Sequence, residues 1–166
     1  FFNTISILTG TGYVSAEFDG WGSFPLTLFL ALMFIGGCAG STTCGIKVFR
    51  VQILYLFILN QIKKIIYPKG VFLIKYEQNT VDDKFIASII SFIYFYFIIF
   101  FLLTALLSLT GLDFITSLSG AATSISNVGP GLGPTIGPNG DFSTLPDISK
   151  WILTIGMILG RLELFA

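Results

Sequence analysis

The 166-residue chain contains no histidine. That absence excludes the common zinc sites, serine triads built on imidazole, and imidazole general bases. Charge is scarce as well, at 11% of residues, about half of what a soluble domain carries, so the surface on offer is suited to lipid rather than water. Nine Lys plus Arg balance nine Asp plus Glu, which leaves no overall positive charge for nucleic acid. Two cysteines, Cys38 and Cys44, are too few for a disulfide framework. No Gly-Lys-Ser or Gly-Lys-Thr occurs and Ser41 lacks a Gly-x-Ser-x-Gly frame, so there is no phosphate loop and no nucleophile elbow. With no nucleophile and base to pair, and no metal cluster, an enzyme is not expected. The sequence opens on Phe1-Phe2 inside one apolar run and stops at Ala166 inside another, which reads as a piece of a larger membrane protein.

What is abundant is apolar: 54% hydrophobic residues, 18 Phe, and a mean hydropathy of +0.86. A spanning helix needs about 20 such residues. Residues 85–110 carry no charge and form the clearest span. Residues 21–46 also lack charge, begin at an interfacial Trp21, and turn Gly-rich from Gly36. A third span starts at Trp151 and runs to residue 166. The run 51–59, between Arg50 and Asn60, is too short to cross and predicts a helix lying against the membrane or a partner.

Charge placement orients these spans. Seven of the nine basic residues lie between Cys44 and Lys84, giving that segment a net +4, while the other two connecting regions are each −2. By the positive-inside tendency the basic segment is cytoplasmic and the acidic loops face out. The same basic residues can meet anionic lipid or nucleic acid, and the orientation signal is the simpler reading.

Two short apolar runs remain. Residues 1–8 lead into Thr9-Gly10-Thr11-Gly12-Tyr13, and residues 113–125 lead into Ser126-Asn127-Val128-Gly129-Pro130. Each is followed by a loop and a span that begins at Trp, with Gly12 and Gly129 in matching places at an offset of 117 residues (129 − 12). Taken alone, each is a Gly/Pro turn. Their common placement favours a helix that dips into the membrane and returns as extended chain, which is tolerated where backbone lines a cavity. The helix C-terminus favours a cation, and the strand after it can aim carbonyl oxygens at an axis to replace a hydration shell. Glycine is needed there for backbone angles that a Cβ resists. Neither strand has a carboxylate, which favours a large monovalent cation over calcium or magnesium.

The run from Gly36 to Lys47 admits two readings. Gly36 and Gly40 stand at the spacing of close helix packing, yet four Gly in ten residues weaken a helix more than packing needs. An unwound segment able to move across a conduction path is the favoured reading. Cys38 and Cys44 fit it as small packing residues in a reducing compartment. Arg161, ten residues beyond Trp151, falls near the bilayer centre of a helix that is expected to continue, where a charge faces a cavity or a partner.

The runs TGTGY, GGCAGSTTCGIKVFR, SNVGPGLGP and LGRLE together resemble the Trk/Ktr/HKT superfamily of potassium transporters, specifically the Trk-type membrane subunit. The resemblance implies an all-α membrane protein of helix, pore-helix, helix repeats with re-entrant filter loops, like those of potassium channels. Residues 1–46 would be the third repeat, 47–84 a cytoplasmic connection, and 85–166 the fourth repeat. It implies potassium bound by backbone carbonyls at Gly10, Thr11, Gly12, Asn127, Val128 and Gly129. It also implies a gating loop containing Gly36, Gly37, Gly40, Ser41, Thr42 and Gly45, with Arg161 facing the pore beneath the filter. The implied protein is a multi-pass potassium symporter or uptake channel of the bacterial inner membrane. It needs no cofactor, takes potassium as substrate, forms a homodimer in lipid, binds a cytoplasmic nucleotide-binding regulatory subunit, and has no role with nucleic acid. The sequence departs from relatives at Gly10 and Tyr13, where Thr and Phe are commoner, and at Ala39 and Cys44, where Ser and Gly are. Gly10 loosens the strand and bears on potassium over sodium selectivity. The reading of a different class is a non-conducting membrane scaffold, in which both Gly strands are ordinary loops.

Overall fold

A computed structural model describes residues 1–38, 40, 41, 43–67, 70, 74–76 and 79–162. The described chain is helical: α1 (Phe2–Leu8), α2 (Ser23–Phe34), α3 (Val48–Ile66), α4 (Asp83–Leu109), α5 (Phe114–Ser126) and α6 (Asp147–Arg161). A two-residue antiparallel pair, β1 (Lys75–Tyr76) with β2 (Asn79–Thr80), lies between α3 and α4.

The 27 residues of α4 extend about 40 Å, more than a bilayer core. Among the described residues it is the one helix both long and apolar enough to cross. Ile86, Ile89, Phe92, Tyr96, Phe100, Leu103 and Leu107 recur every three or four residues and are buried. Phe85, Tyr94, Phe101, Leu102 and Leu109 are apolar too but exposed, so the outward face is one that water would not cover at low free energy.

Against the buried face of α4 packs α5, whose residues from Thr116 to Ser126 are nearly all small and buried. Its start is set by Asp113, whose carboxylate accepts the Thr116 N–H at 3.2 Å. Its end is set by Asn127 in the left-handed region, φ 52°. α6 packs against both α5 and α4. One core joins both halves of the chain: Ile7, Phe18, Phe29 and Met33 pack with Phe100, Leu107, Ala121, Val128 and Leu153. The Phe18 and Phe29 rings are 4.5 Å apart.

The span expected over 21–46 is divided, in keeping with the unwound reading of its Gly-rich part: α2 has 12 residues, about 18 Å, and the backbone is extended at Ile35. One element differs from the sequence expectation. The helix expected over 51–59 runs from Val48 to Ile66. Charged residues bound an apolar run without ending a helix; Arg50 lies buried with its guanidinium 3.9 Å from the centre of the Phe92 ring, and Lys63 and Lys64 suit the partially negative last turn. α6 is described to Arg161, followed by Leu162, and the expected continuation of that span falls on residues 163–166, which lie outside the described residues.

Candidate functional site

The two Gly strands leave their helices in the same way. After α1, the N–H groups of Gly10, Thr11 and Gly12 turn back, donating to the carbonyls of Ile7 at 3.1 Å and of Ser6 at 2.9 and 3.3 Å. After α5, those of Asn127 and Val128 donate to the carbonyls of Ser124 at 3.2 Å and Thr123 at 3.1 Å, and Gly129 N–H donates to Thr123 Oγ1 at 2.9 Å. Ser6 and Thr123 are separated by the same 117 residues (123 − 6) as the two glycines. The N–H groups of residues 10–12 and 127–129 are thus directed at their own helices, where their partial positive charges would not oppose a cation in front of the strands. Gly12 and Gly129 have φ of 79° and 112°, a region that favours glycine.

The strands also meet each other. A Cβ on Gly129 would stand 3.9 Å from the Gly12 Cα, and one on Gly12 would overlap the Val128 carbonyl oxygen. Buried polar side chains steer the chain away again on the far side. Asn3 accepts from Ser15 N–H and Oγ, both at 2.9 Å, and donates to the Ala16 carbonyl at 3.0 Å. Ser119 exchanges hydrogen bonds with the Leu132 carbonyl and N–H at 3.1 and 3.0 Å. Asn127 donates from Nδ2 to the Met157 carbonyl at 3.0 Å, tying the second strand to α6.

The described residues of the 35–47 loop are not helical, and the loop is closed at its base, where Gly36 N–H donates to the Ile46 carbonyl, Ile46 N–H to that of Phe34 and Val48 N–H to that of Gly37. Gly36 is buried, Gly37, Ser41 and Gly45 are half-buried, and Gly40 is exposed; Thr42 and Ala39 lie outside the described residues. The loop reaches two other parts of the chain. Arg161 Nη1 donates to Cys44 Sγ at 3.9 Å, and Thr43 Oγ1 donates to the Thr9 carbonyl at 3.1 Å. Both thiols are free, Cys44 buried and Cys38 exposed.

Sequence reasoning passed over Asn3, Ser119, Thr43, and the pair Gly156 and Gly160 on α6. The last had a signal in the Gly-x-x-x-Gly spacing; the others depend on partners 12 or more residues away.

Beyond the strands, the loops are joined by Asn139, which donates to Glu17, and by Asp19, which accepts the Gly133 N–H. Asp19 Oδ1 is buried without a hydrogen-bond partner among the described residues. Burial pushes the Asp19 carboxyl above its ordinary value, against the lowering by Gly133, and Glu17 adds to the rise. A carboxyl raised in the folded state contributes stability that is full below its unfolded value of about 3.9 and is lost as pH rises through the folded value. Asp141, held low by hydrogen bonds from Ser143, acts in the opposite direction. Comparison with Asp19→Asn cancels Asp141, and the variant's thermal midpoint is expected to gain on the wild type as pH rises from about 4 to 7. Parallel midpoint curves would remove Asp19 from this role.

A family model described as TrkH, cation transport protein, matches residues 1–166. The chain is 46% identical over 163 residues to the Trk system potassium uptake protein TrkI of Halomonas elongata, covering 98% of this chain and 33% of that protein. It is 32% identical to the TrkH protein of Escherichia coli K12 over 165 residues, 99% of this chain and 34% of that one. The crystal structure of the potassium transporter TrkH from Vibrio parahaemolyticus superimposes with a TM-score of 0.90 at 35% identity, over 99% of this chain and 34% of that chain. The chain thus spans about a third of the length of the curated relatives it matches.

Proposed function

Because this chain belongs to the TrkH family of cation transport proteins, a family of transporters and not of enzymes, we propose that it supplies two of the carbonyl-lined strands of a potassium uptake pore. The observation that carries this reading is the matched turning of N–H groups onto the helices after which the strands emerge, with Gly12 and Gly129 side by side. Backbone oxygens of Gly10, Thr11, Gly12, Asn127, Val128 and Gly129 would then take the place of water around a weakly hydrated monovalent ion. The names of the relatives, potassium uptake proteins, support potassium as that ion.

In this reading α1 and α5 are pore helices and α2, α4 and α6 belong to the surrounding repeats, divided at residues 46 and 84. The protein is a multi-pass inner-membrane protein, working as a dimer with a nucleotide-binding regulatory subunit. The 35–47 loop, held by Arg161 at one side, gates the path below the strands.

Rubidium uptake by the complete gene product, in bacterial cells lacking their own potassium uptake, tests the proposal. Rescue of growth at low potassium together with rubidium entry is the expected result. A protein present in the membrane that carries no rubidium would favour the scaffold reading instead.

A further inference from the structure

We infer that Thr43 is a positioning residue that locks the 35–47 loop to the inner end of the first Gly strand, so that displacing the loop changes the ion selectivity of the strand as well as opening the path. The inference rests on the transport reading above and goes beyond it, since a gate that only obstructs would leave selectivity untouched.

Thr9 is the C-cap of α1, and its carbonyl belongs to the last turn, where no helical donor remains to meet it. The Thr43 hydroxyl meets it from the loop, 34 residues along the chain, at 3.1 Å. Thr9 Oγ1 is itself turned back to the Ile5 carbonyl at 2.7 Å and lies 2.8 Å from Thr11 Oγ1, so Thr9 connects the loop with the strand on both its carbonyl and hydroxyl sides.

Two glycines make the socket in which Thr43 sits. A Cβ on Gly10 would come within 3.1 Å of Thr43 Cγ2, and one on Gly37 within 2.9 Å of Thr43 Oγ1. Both distances are shorter than ordinary van der Waals contact. Gly10, with φ of 67°, thus does more than loosen the strand: it leaves the space that lets a threonine approach from the loop. The strand in turn is fixed to α1 by the Gly10 and Thr11 N–H groups. A loop that withdraws must release the Thr9 carbonyl, and the inner end of the strand then relaxes or coordinates a cation in place of the hydroxyl.

The test is the ratio of rubidium to sodium flux in the complete gene product, normalised to protein in the membrane. Thr43→Val keeps the shape and removes the donor, and the ratio is expected to fall about fivefold, the loss of one hydrogen bond between neutral groups. Thr43→Ser keeps the donor and is expected to hold the wild-type ratio. If Thr43→Val does not accumulate, Gly10→Ala crowds Thr43 Cγ2 and lowers the ratio, and Thr43→Ser in that background, which lacks Cγ2, is expected to recover part of it. Wild-type transport with an unchanged ratio in Thr43→Val, an equal fall in Thr43→Ser, or no recovery in the double variant overturns the inference alone. A wild-type protein without rubidium flux overturns the transport reading and this one with it.

Discussion

Gly12→Ala is expected to abolish rubidium uptake while the protein still reaches the membrane. Two costs combine at this position. At φ of 79° an alanine is held in the left-handed region, which disfavours it by about 1–2 kcal/mol. The added Cβ would also overlap the Val128 carbonyl oxygen and stand 3.3 Å from both the Val128 carbonyl carbon and Pro130 Cδ. The obstacle is backbone of the other strand, so no rotamer change relieves it, and the strands must separate. Gly129→Ala carries the conformational cost without the collision, its nearest neighbour being the Gly12 Cα at 3.9 Å. Its uptake is expected to fall by about tenfold, as the conformational cost alone would give, not to vanish. Gly20, with no atom within 4 Å of its added Cβ and an ordinary φ, supplies the neutral control as Gly20→Ala. Wild-type uptake in Gly12→Ala would sink the assignment of the strands to an ion path.

The order of these effects could not be obtained from the sequence, although the positions could. TGTGY and SNVGP are each short, and their likeness emerges only from the shared 117-residue offset. That offset also relates Ser6 to Thr123, which hold the N–H groups of the two strands. Helix limits were legible where a physical boundary is written locally. Residues 85–110 were expected as one run and form α4 from Asp83 to Leu109. Asp113 is a capping residue by type and caps α5. Limits were not legible where charge was taken as a stop signal. Arg50 continues α3 because the aromatic faces of Phe92 and Phe49 receive its guanidinium, and Phe92 lies 42 residues away (92 − 50). The unwinding after Phe34 was legible from glycine density, whereas the partner that the unwound loop seeks, the Thr9 carbonyl, was not. A threonine among Ser41, Thr42 and Thr43 carries no local mark of which hydroxyl will reach another element.

The second large effect is expected at Gly160. This residue lies where α6 comes against the last turn of α5, and a Cβ there would overlap the Ile125 carbonyl oxygen and stand 2.7 Å from its carbon and 3.1 Å from its Cα. One turn earlier, a Cβ on Gly156 would meet Ser124 Oγ at 2.7 Å and Leu103 Cδ1 at 3.0 Å. The two glycines thus form the close-approach face by which one helix presses on another without a hydrophobic driving force of its own. Gly156→Ala meets side chains, which can rotate; Gly160→Ala meets backbone, which cannot. Displacing α6 by the width of a methyl group would also stretch the hydrogen bond from Asn127 to the Met157 carbonyl, and Asn127 opens the second strand. Gly160→Ala is therefore expected to lower the thermal midpoint of the purified protein and to remove most uptake, whereas Gly156→Ala retains a larger part of both. The overpacking alone is of order 1–3 kcal/mol or more. Uptake lost with an unchanged midpoint would mean that α6 has moved without weakening the fold and that Asn127 transmits the change. An unchanged midpoint and unchanged uptake together would show that α6 does not press on α5 as closely as the Ile125 contact requires.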